Sequence, residues 1–269
     1  MHRFSVVDVF TAEPFAGNPA AVVVLHEAAE ETWMQSVAME FKHSETAFVL
    51  PRPDGSWDLR WFTPVAEVEF CGHATVATAH ALWGQSLQPP DHDTVFHTRS
   101  GELRVGRDGD ELILDGPASP ATEIAADPGL AELVGSEPVF VGSTDVDDPA
   151  LGNLFVVLGH EADVVAMTPD FAAIEALPHG GLIVTAAADG HAYDCVSRYF
   201  TPRYGIDEDP VTGSAHCTIA SYWTEQLGRP GIRARQASER GGDLNVTIEG
   251  DRAKVAGHAV TIASGELLV

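Results

Sequence analysis

The chain has 269 residues, 45% of them hydrophobic and 20% charged, which is enough for one large domain or two modest ones. Its formal net charge of −25 at pH 7 repels phosphate backbones and anionic lipid, which argues against nucleic-acid and membrane partners. Three cysteines in a chain of this size predict free thiols in a reducing, cytoplasmic environment rather than a disulfide framework.

Short β-rich runs separated by turn signals predict a first half made mostly of strands. The predicted strands are Phe4–Val9, Ala20–Leu25, Thr46–Leu50, Trp57–Phe62, Glu102–Val105 and Glu111–Asp115. Apolar residues at helical spacing predict helices at Glu31–Phe41 and Ala74–Trp83. A stretch rich in Pro, Ala and Gly at Gly116–Ala121 predicts a linker, and a helix at Ala215–Leu227 follows in the second half. No apolar run approaches the roughly 18 residues that a membrane span needs.

The chain contains one long internal repeat. The block Arg60–Pro64 recurs as Arg198–Pro202, 138 residues later, and Gly72–Ala79 matches Gly213–Ala220, 141 residues later. Two further echoes keep the same order with an offset of 135. Because coincidence does not explain an ordered series, the repeat predicts a duplicated chain, each copy mostly strand with one prominent helix.

The duplication predicts an α/β (α+β) fold of two pseudo-symmetric halves, residues 1–118 and 119–269, with the last strand able to return to the first half. In each half a Gly-x-Ala step leads into an Ala-rich helix, where free backbone N–H groups and the positive dipole end favour an anion. Halves that close on each other would bring both helix starts to one cleft, which suits a small carboxylate-bearing substrate. Gly72, Thr212 and Gly213 are therefore candidate substrate-binding residues.

The two halves differ in the residues that carry chemistry. At an offset of 135, Glu45 has Gly180 as its counterpart, and such asymmetry suits directional proton transfer. A carboxyl group in a closed pocket is expected to have a raised pKa, so Glu45 can take a proton from carbon and return it elsewhere. Asp209 is expected to orient a substrate amine or act as the opposing acid or base, and His73 and Ser214 to bind substrate and relay protons. In the ordinary alternatives, Glu45 is an exposed carboxylate at a strand end, and His73 is a histidine that only packs. Asp209 and Ser214 would then be helix caps.

Six blocks of residues run through nearly the whole chain in one order. They are Val9–Thr11, Phe15–Val23, Ser44–Phe48, Arg60–Pro64, Cys71–Thr75 and Asp209–Ala215. Together they resemble the signatures of the PhzF-like (phenazine biosynthesis) family within the diaminopimelate-epimerase-like superfamily.

The resemblance implies two α/β halves, each a curled mixed sheet or barrel around a central helix, with the active site between them. It also implies no metal, pyridoxal phosphate or nucleotide cofactor, a homodimer, and isomerisation by glutamate-mediated proton shuttling. The family's glutamate falls on Glu45, and Asn18 lies in its Gly-Asn-Pro loop, where it is implied to contact substrate. The family's two helix-start motifs fall on Gly72, His73, Asp209, Gly213 and Ser214. The expected activity is cofactor-independent isomerisation or epimerisation of a small carboxylate.

Two other mechanisms are considered. An epimerase with two thiols would need a cysteine at each helix start, but the counterpart of Cys71 is Thr212 and Cys217 lies a turn further on, so this mechanism is disfavoured. A dehydratase or epimerase that pairs Cys71 with Thr212 stays open. A metal site is not expected, because His73 and His80 lie two helical turns apart with no third ligand at standard spacing.

From another class, the chain could be a non-catalytic small-molecule-binding protein on the same scaffold. Such a protein has no need for an acid–base carboxylate, so replacing Glu45 with Gln would leave it unaffected and would inactivate an enzyme.

Overall fold

The computed structural model describes all of residues 1–269, which divide into two compact units. Unit 1 comprises residues 1–116 and 256–269, and unit 2 comprises residues 117–255. The C-terminal strand β18 (Ala259–Leu267) belongs to unit 1, where it pairs antiparallel with β1 (His2–Val9). No helix in the structure combines the length and the apolar character needed to cross a bilayer.

Unit 1 consists of strands around two helices. Its further strands are β2 (Asn18–Val24), β3 (Glu45–Pro51), β4 (Trp57–Phe62), β5 (Glu67–Val68), β6 (Thr94–Thr98), β7 (Gly101–Asp108) and β8 (Glu111–Pro117). Its helices are α1 (Glu31–Phe41) and α2 (Gly72–Gly84). Helix α2 packs against β1, β2 and β3 and is buried along nearly its whole length, as expected for a helix with apolar or small residues on every side.

Unit 2 repeats this plan with additional short helices. Its strands are β9 (Thr122–Glu123), β10 (Phe140–Ser143), β11 (Asn153–Val157), β12 (Gly181–Ala187), β13 (Cys195–Thr201), β14 (Ile206–Glu208), β15 (Gly231–Gln236), β16 (Gly242–Glu249) and β17 (Arg252–Gly257). Its helices are α3 (Leu130–Val134), α4 (Glu161–Ala166), α5 (Phe171–Glu175) and α6 (Gly213–Leu227), besides one 3₁₀ turn at Pro202–Tyr204. The long helix α6 packs against β15 and β16.

The two units share one order of strand pairing. In unit 1, β1–β2 is antiparallel, β2–β3 parallel, β3–β4 and β4–β5 antiparallel, β4–β6 parallel and β6–β7 antiparallel. In unit 2, the series β10–β11, β11–β12, β12–β13, β13–β14, β13–β15 and β15–β16 has the same alternation. This agreement confirms the predicted α/β fold of two pseudo-symmetric halves.

Strand register gives the counterpart of each residue in β3 more closely than a uniform sequence offset does. Thr46 faces Phe62 between β3 and β4, and Leu182 faces Phe200 between β12 and β13. Since Phe62 and Phe200 occupy the same place in the repeated block, equivalent residues of β3 and β12 lie 136 apart. The offset of 135 used for Glu45 is therefore wrong by one residue, because the connections before these strands differ in length.

This register makes Gly181, not Gly180, the counterpart of Glu45, and both residues begin their strand. A Cβ at Gly181 would meet Asn153 Oδ1 and Tyr199 Oη, each at 2.7 Å. The Tyr199 hydroxyl donates a hydrogen bond to Asn153 Oδ1 at 3.0 Å and fills this space. Unit 2 thus has no room for a carboxylate side chain at the position where unit 1 has one.

Candidate active site

Glu45 is placed by the strand that it begins. It pairs in parallel with Ala20 of β2, and the helix α2 packs against both strands. Its Oε2 atom lies 3.3 Å from Nε2 of His73, in the first turn of α2. The two side chains are 12% and 5% exposed, so the carboxylate and the imidazole meet in a nearly dry environment.

His73 is uncharged at neutral pH. Burial, with a smaller contribution from nearby His43, lowers the pKa of His73 to about 3. Its Nδ1 lies 3.3 Å from the Asn18 amide nitrogen and 3.5 Å from Cys71 Sγ. Because an amide NH₂ can only donate, we assign Nδ1 as the acceptor and the ring proton to Nε2, which faces Glu45. The imidazole therefore presents an N–H dipole, and no full positive charge, to the carboxylate.

Asn18 connects this cluster to the loop before β2. Its side chain is fully buried, and its Oδ1 accepts a hydrogen bond from the Ser44 hydroxyl at 3.4 Å. The preceding Gly17 has φ +66°, in the left-handed region. A Cβ there would collide with the Val9 carbonyl oxygen and approach Thr11 Cγ2 to 2.7 Å. The loop therefore needs glycine at position 17 to hold the Asn18 amide against His73.

We expect Gly17→Ala to lower activity at least about tenfold and the free energy of unfolding by about 1–3 kcal/mol, since the chain must move away from Val9 and leave the left-handed region. Gly55→Ala is the matched control, because Gly55 has φ +85° but no atom within 4 Å of its missing Cβ. Thermal unfolding and turnover are measured for both variants. Equal effects at the two positions would show that the close approach at Gly17 does not matter.

The corresponding helix start in unit 2 is held by a buried hydrogen-bond network. Thr212 Oγ1 donates to Asp209 Oδ2 at 2.5 Å, and the Thr212 backbone N–H donates to Gln236 Oε1 at 2.8 Å. Gln236 Nε2 in turn donates to the Asp209 carbonyl oxygen at 2.6 Å. Asp209 is 6% exposed, whereas Ser214 in the first turn of α6 is exposed. Asp209 therefore orders the loop before α6 through the Thr212 hydroxyl. It is not the helix cap considered for it, because Thr212 is the N-cap of α6 and makes no capping hydrogen bond through its side chain.

Gln236→Leu is expected to lower the free energy of unfolding by about 2–4 kcal/mol, because it removes one hydrogen-bond partner from each of two buried backbone groups. Gln236→Glu is the companion variant: when ionised, its carboxylate still accepts from the Thr212 N–H, but its other oxygen meets the Asp209 carbonyl oxygen and adds a buried charge, so this variant is expected to lose at least as much stability as the Leu variant. Chemical denaturation measures both. A Leu variant as stable as the native chain would contradict a bracing role for Gln236.

A second buried histidine occupies α6. His216 donates from Nδ1 to the Thr212 carbonyl oxygen at 2.7 Å, and its Nε2 lies 3.4 Å from Ser197 Oγ. Burial lowers its pKa to about 4. In α2 the equivalent Thr75 donates to the Cys71 carbonyl oxygen at 2.6 Å, so the two units make the same contact with different side chains.

The predicted site residues thus form two clusters, one in each unit. The cluster of unit 1 contains Asn18, Glu45, Gly72 and His73. The cluster of unit 2 contains Asp209, Thr212 and Gly213, with Ser214 exposed one residue further along α6. Three residues that contact these clusters were not predicted from the sequence as site residues, namely Ser44, His216 and Gln236. Repeat alignment could have flagged His216 opposite Thr75, whereas Gln236 lies far from any motif.

Three side chains of unit 1 could approach a metal ion. One donor atom each from Glu45, Cys71 and His73 lie within 4.8 Å of one another. However, His73 turns Nδ1 toward Cys71 and Nε2 toward Glu45, and one ion cannot bind both ring nitrogens. As placed, these donors fit a single ion poorly, and the absence of a metal stays a prediction.

Cys217, the cysteine of α6, does not provide a second reactive thiol. Cys217 is buried, its S–H donates toward the Gly213 carbonyl oxygen at 3.6 Å, and burial raises its pKa to about 12. Such a thiol does not ionise near neutral pH, so Cys217 does not supply the second base of a two-thiol epimerase.

The chain is similar to known proteins over nearly its whole length. The model of one protein family, PhzC-PhzF, described as phenazine biosynthesis-like protein, matches residues 7–265. The chain belongs to this family. An uncharacterized isomerase of Pseudomonas aeruginosa is 46% identical over 266 residues, covering 98% of each chain. A PhzF family crystal structure from Enterococcus faecalis has 38% identity and a TM-score of 0.92, covering 100% of this chain and 99% of that one.

A more distant structure extends the fold beyond the PhzC-PhzF family. A probable proline racemase from Agrobacterium radiobacter has a TM-score of 0.65 at 11% identity, covering 100% of this chain and 93% of that one. At this identity the likeness shows only the fold, which is the epimerase-type fold expected from the sequence. The family and the relatives that are named isomerases together support an isomerase or epimerase role for the chain.

Proposed function

We propose that this member of the PhzC-PhzF family is a cofactor-independent isomerase or epimerase that moves a carbon-bound proton on a small carboxylate-bearing substrate, with Glu45 as the acid–base group. The observation that carries the proposal is the contact of the Glu45 carboxylate with a buried, uncharged imidazole at 3.3 Å. Burial strengthens the electrostatic influence of such a neighbour, and the 12% exposure of Glu45 leaves its carboxylate only limited contact with water.

In this proposal the Glu45 carboxylate takes a proton from a substrate C–H bond. The electron pair of that bond passes into the substrate's conjugated carboxylate or double bond, and Glu45 becomes a neutral carboxylic acid. Glu45 then returns the proton to another carbon, so that a double bond shifts and no atom is gained or lost. Because His73 is uncharged, it orients Glu45 in this proposal through the Nε2–H dipole, and the proton relay expected of His73 stays a prediction.

The remaining site residues keep their predicted roles within this proposal. In unit 1, Asn18 and the backbone at Gly72 are predicted to bind the substrate's polar groups, and the Asn18 side chain, fully buried in this structure, would have to become accessible for that contact. In unit 2, Asp209 and Ser214 are predicted to take part in proton transfer, and Thr212 and Gly213 in substrate binding. A homodimer and a cytoplasmic location likewise stay predictions from the sequence.

Proton NMR in D₂O tests the proposal. The purified protein is incubated with a panel of cyclic and acyclic amino and hydroxy acids, including a dihydro-hydroxyanthranilate. We expect deuterium to enter one carbon with the native chain and with Glu69→Gln, and not with Glu45→Gln. Glu69 is an exposed glutamate of the same unit, so its variant controls for the change of charge.

Two alternatives give different outcomes. A dehydratase that uses Cys71 would release water from a hydroxy acid and would lose that activity in Cys71→Ser while keeping it in Glu45→Gln. A binding protein would show no exchange with any substrate, and its native chain and its Glu45→Gln variant would bind ligands equally well. Either result would replace the proposed function.

A further inference from the structure

The loop that joins β1 to β2, residues 10–17, contains three residues in the left-handed region of backbone conformation. They are Phe10 (φ 64°), Phe15 (φ 70°) and Gly17 (φ 66°). The Cβ atoms of the two phenylalanines disfavour this conformation, so contacts with the rest of the fold must hold both residues in it. Since the loop leads directly into Asn18, its conformation decides where the Asn18 side chain lies.

The two phenylalanines of this loop are held in different ways. The ring of Phe10 is fully buried, and the N–H groups of Phe10 and Thr11 donate to the His258 carbonyl oxygen at 2.7 and 3.2 Å. The ring of Phe15 is 75% exposed, so its packing contributes little to its backbone conformation. The backbone N–H of Phe15 instead donates a hydrogen bond to Asp8 Oδ2 at 2.8 Å. This hydrogen bond ties the second half of the loop to β1.

Asp8 is an acidic residue in a buried position. It is 2% exposed, and aspartate is rarely buried to this extent unless its carboxyl oxygens are hydrogen-bonded. In the pairing of β1 with β2, Val9 faces Asn18, so Asp8 is adjacent to the residue that faces Asn18. The hydrogen bond from Phe15 therefore returns the loop to the base of its own hairpin, three residues before Asn18.

We propose that Asp8 is a positioning residue for the Glu45 site. By holding Phe15, Asp8 keeps the Asn18 amide against Nδ1 of the His73 ring, 3.3 Å away. That contact leaves the ring proton on Nε2, facing Glu45. Without the Asn18 donor, either ring nitrogen can carry the proton, and the dipole toward Glu45 is no longer fixed. The effect on turnover rests on the function proposed for Glu45, whereas the effect on the His73 ring does not.

The first test measures the ¹⁵N chemical shifts of the two ring nitrogens of His73 at neutral pH, assigned by their loss in His73→Gln. In the native chain one nitrogen carries the proton, so the two shifts should lie far apart. In Asp8→Ala we expect the two shifts to move towards each other, because both tautomers become populated. Asp8→Asn keeps one acceptor oxygen where the carboxyl group has two, so its shifts should be intermediate. This test needs no substrate.

The second test measures turnover in a double-mutant cycle. Asp8→Ala is expected to lower kcat about 10–100-fold, since a small misplacement of a catalytic group can cost about a hundredfold. In an Asn18→Ala background the same change should lower kcat by no more than about twofold, because the residue through which Asp8 acts is already absent. A residue that only stabilises the fold would lower kcat by the same factor in both backgrounds.

Ser5→Ala is the matched control. Ser5 also lies on β1 and is 2% exposed, and its hydroxyl accepts a hydrogen bond from Gln85 Nε2 at 3.1 Å. This variant likewise removes a buried hydrogen bond on β1, so its thermal unfolding midpoint should fall. Because Ser5 does not contact the loop that leads to Asn18, the His73 shifts and kcat should stay at their native values.

The outcomes separate this proposal from the function proposed for Glu45. If Asp8→Ala does not fold, Asp8→Asn replaces it in both tests, and failure of both variants to fold would make Asp8 a purely structural residue. The proposal is also overturned if folded Asp8 variants keep the native His73 shifts, or if kcat falls equally with and without Asn18. Displaced His73 shifts in a chain whose native form has no turnover would support the role of Asp8 and overturn the function proposed for Glu45.

Discussion

Replacing Glu45 with Gln is expected to lower kcat by about 10²–10⁴-fold, the usual contribution of a positioned acid–base group. The amide is nearly the same size as the carboxylate and can still contact His73, but it cannot accept and hold the substrate proton. Substrate affinity should therefore change much less than turnover. Rates of deuterium incorporation and of product formation measure the loss, and isothermal titration measures the affinity.

Glu45→Asp is the informative companion to this variant. It keeps the carboxylate and shortens the side chain by one methylene, which withdraws the base from both His73 and the substrate. We expect an intermediate rate, because the chemistry survives while the geometry is impaired. If the Gln and Asp variants retain the native rate, Glu45 is not the acid–base group and the proposed mechanism fails.

The duplicated fold could be predicted from the sequence because both copies of the repeat keep the residues that stabilise equivalent strands. The blocks Arg60–Pro64 and Arg198–Pro202 carry equivalent strands, and Arg60 and Arg198 each pair with a glutamate from the short strand that follows, Glu67 and Glu208. Matching side chains at matching places make a duplication visible in one sequence. The helix starts were predicted two residues late, because Gly72 and Gly213 lie inside the first turn of α2 and α6.

The side-chain network around Glu45 could be predicted only in part. Glu45, His73 and Asn18 stand out as residue types in motifs, but the 3.3 Å contacts of His73 with the other two arise from the packing of α2 against β2 and β3, which a linear pattern does not encode. The role of Gln236 is harder still to predict from the sequence, because its hydrogen bonds to Thr212 and Asp209 join residues more than 20 positions apart. Long-range polar contacts depend on register, and a shift of one residue, as at Gly180 and Gly181, is invisible to an offset count.

The fold is expected to lose stability as the pH falls below about 6.5, because His73 and His216 are buried without charge. Their pKa values in the folded chain are about 3 and about 4, both below the ordinary value of 6.5. The unfolded chain therefore binds protons first. Stability is fully present above pH 6.5 and is lost as the pH falls toward those values. Each histidine should cost about 2 kcal/mol of unfolding free energy between pH 7 and pH 5.

His216→Thr separates this effect from the titration of other groups. Threonine at the equivalent position of α2, Thr75, donates to the carbonyl oxygen four residues earlier, so a threonine at 216 can make the same bond to Thr212 without a titrating ring. Chemical denaturation at pH 7, 6 and 5 should give a loss of unfolding free energy about 2 kcal/mol smaller in the variant than in the native chain. Parallel pH dependence in the two proteins would mean that His216 already carries its proton in the folded state, and that burial does not hold it neutral.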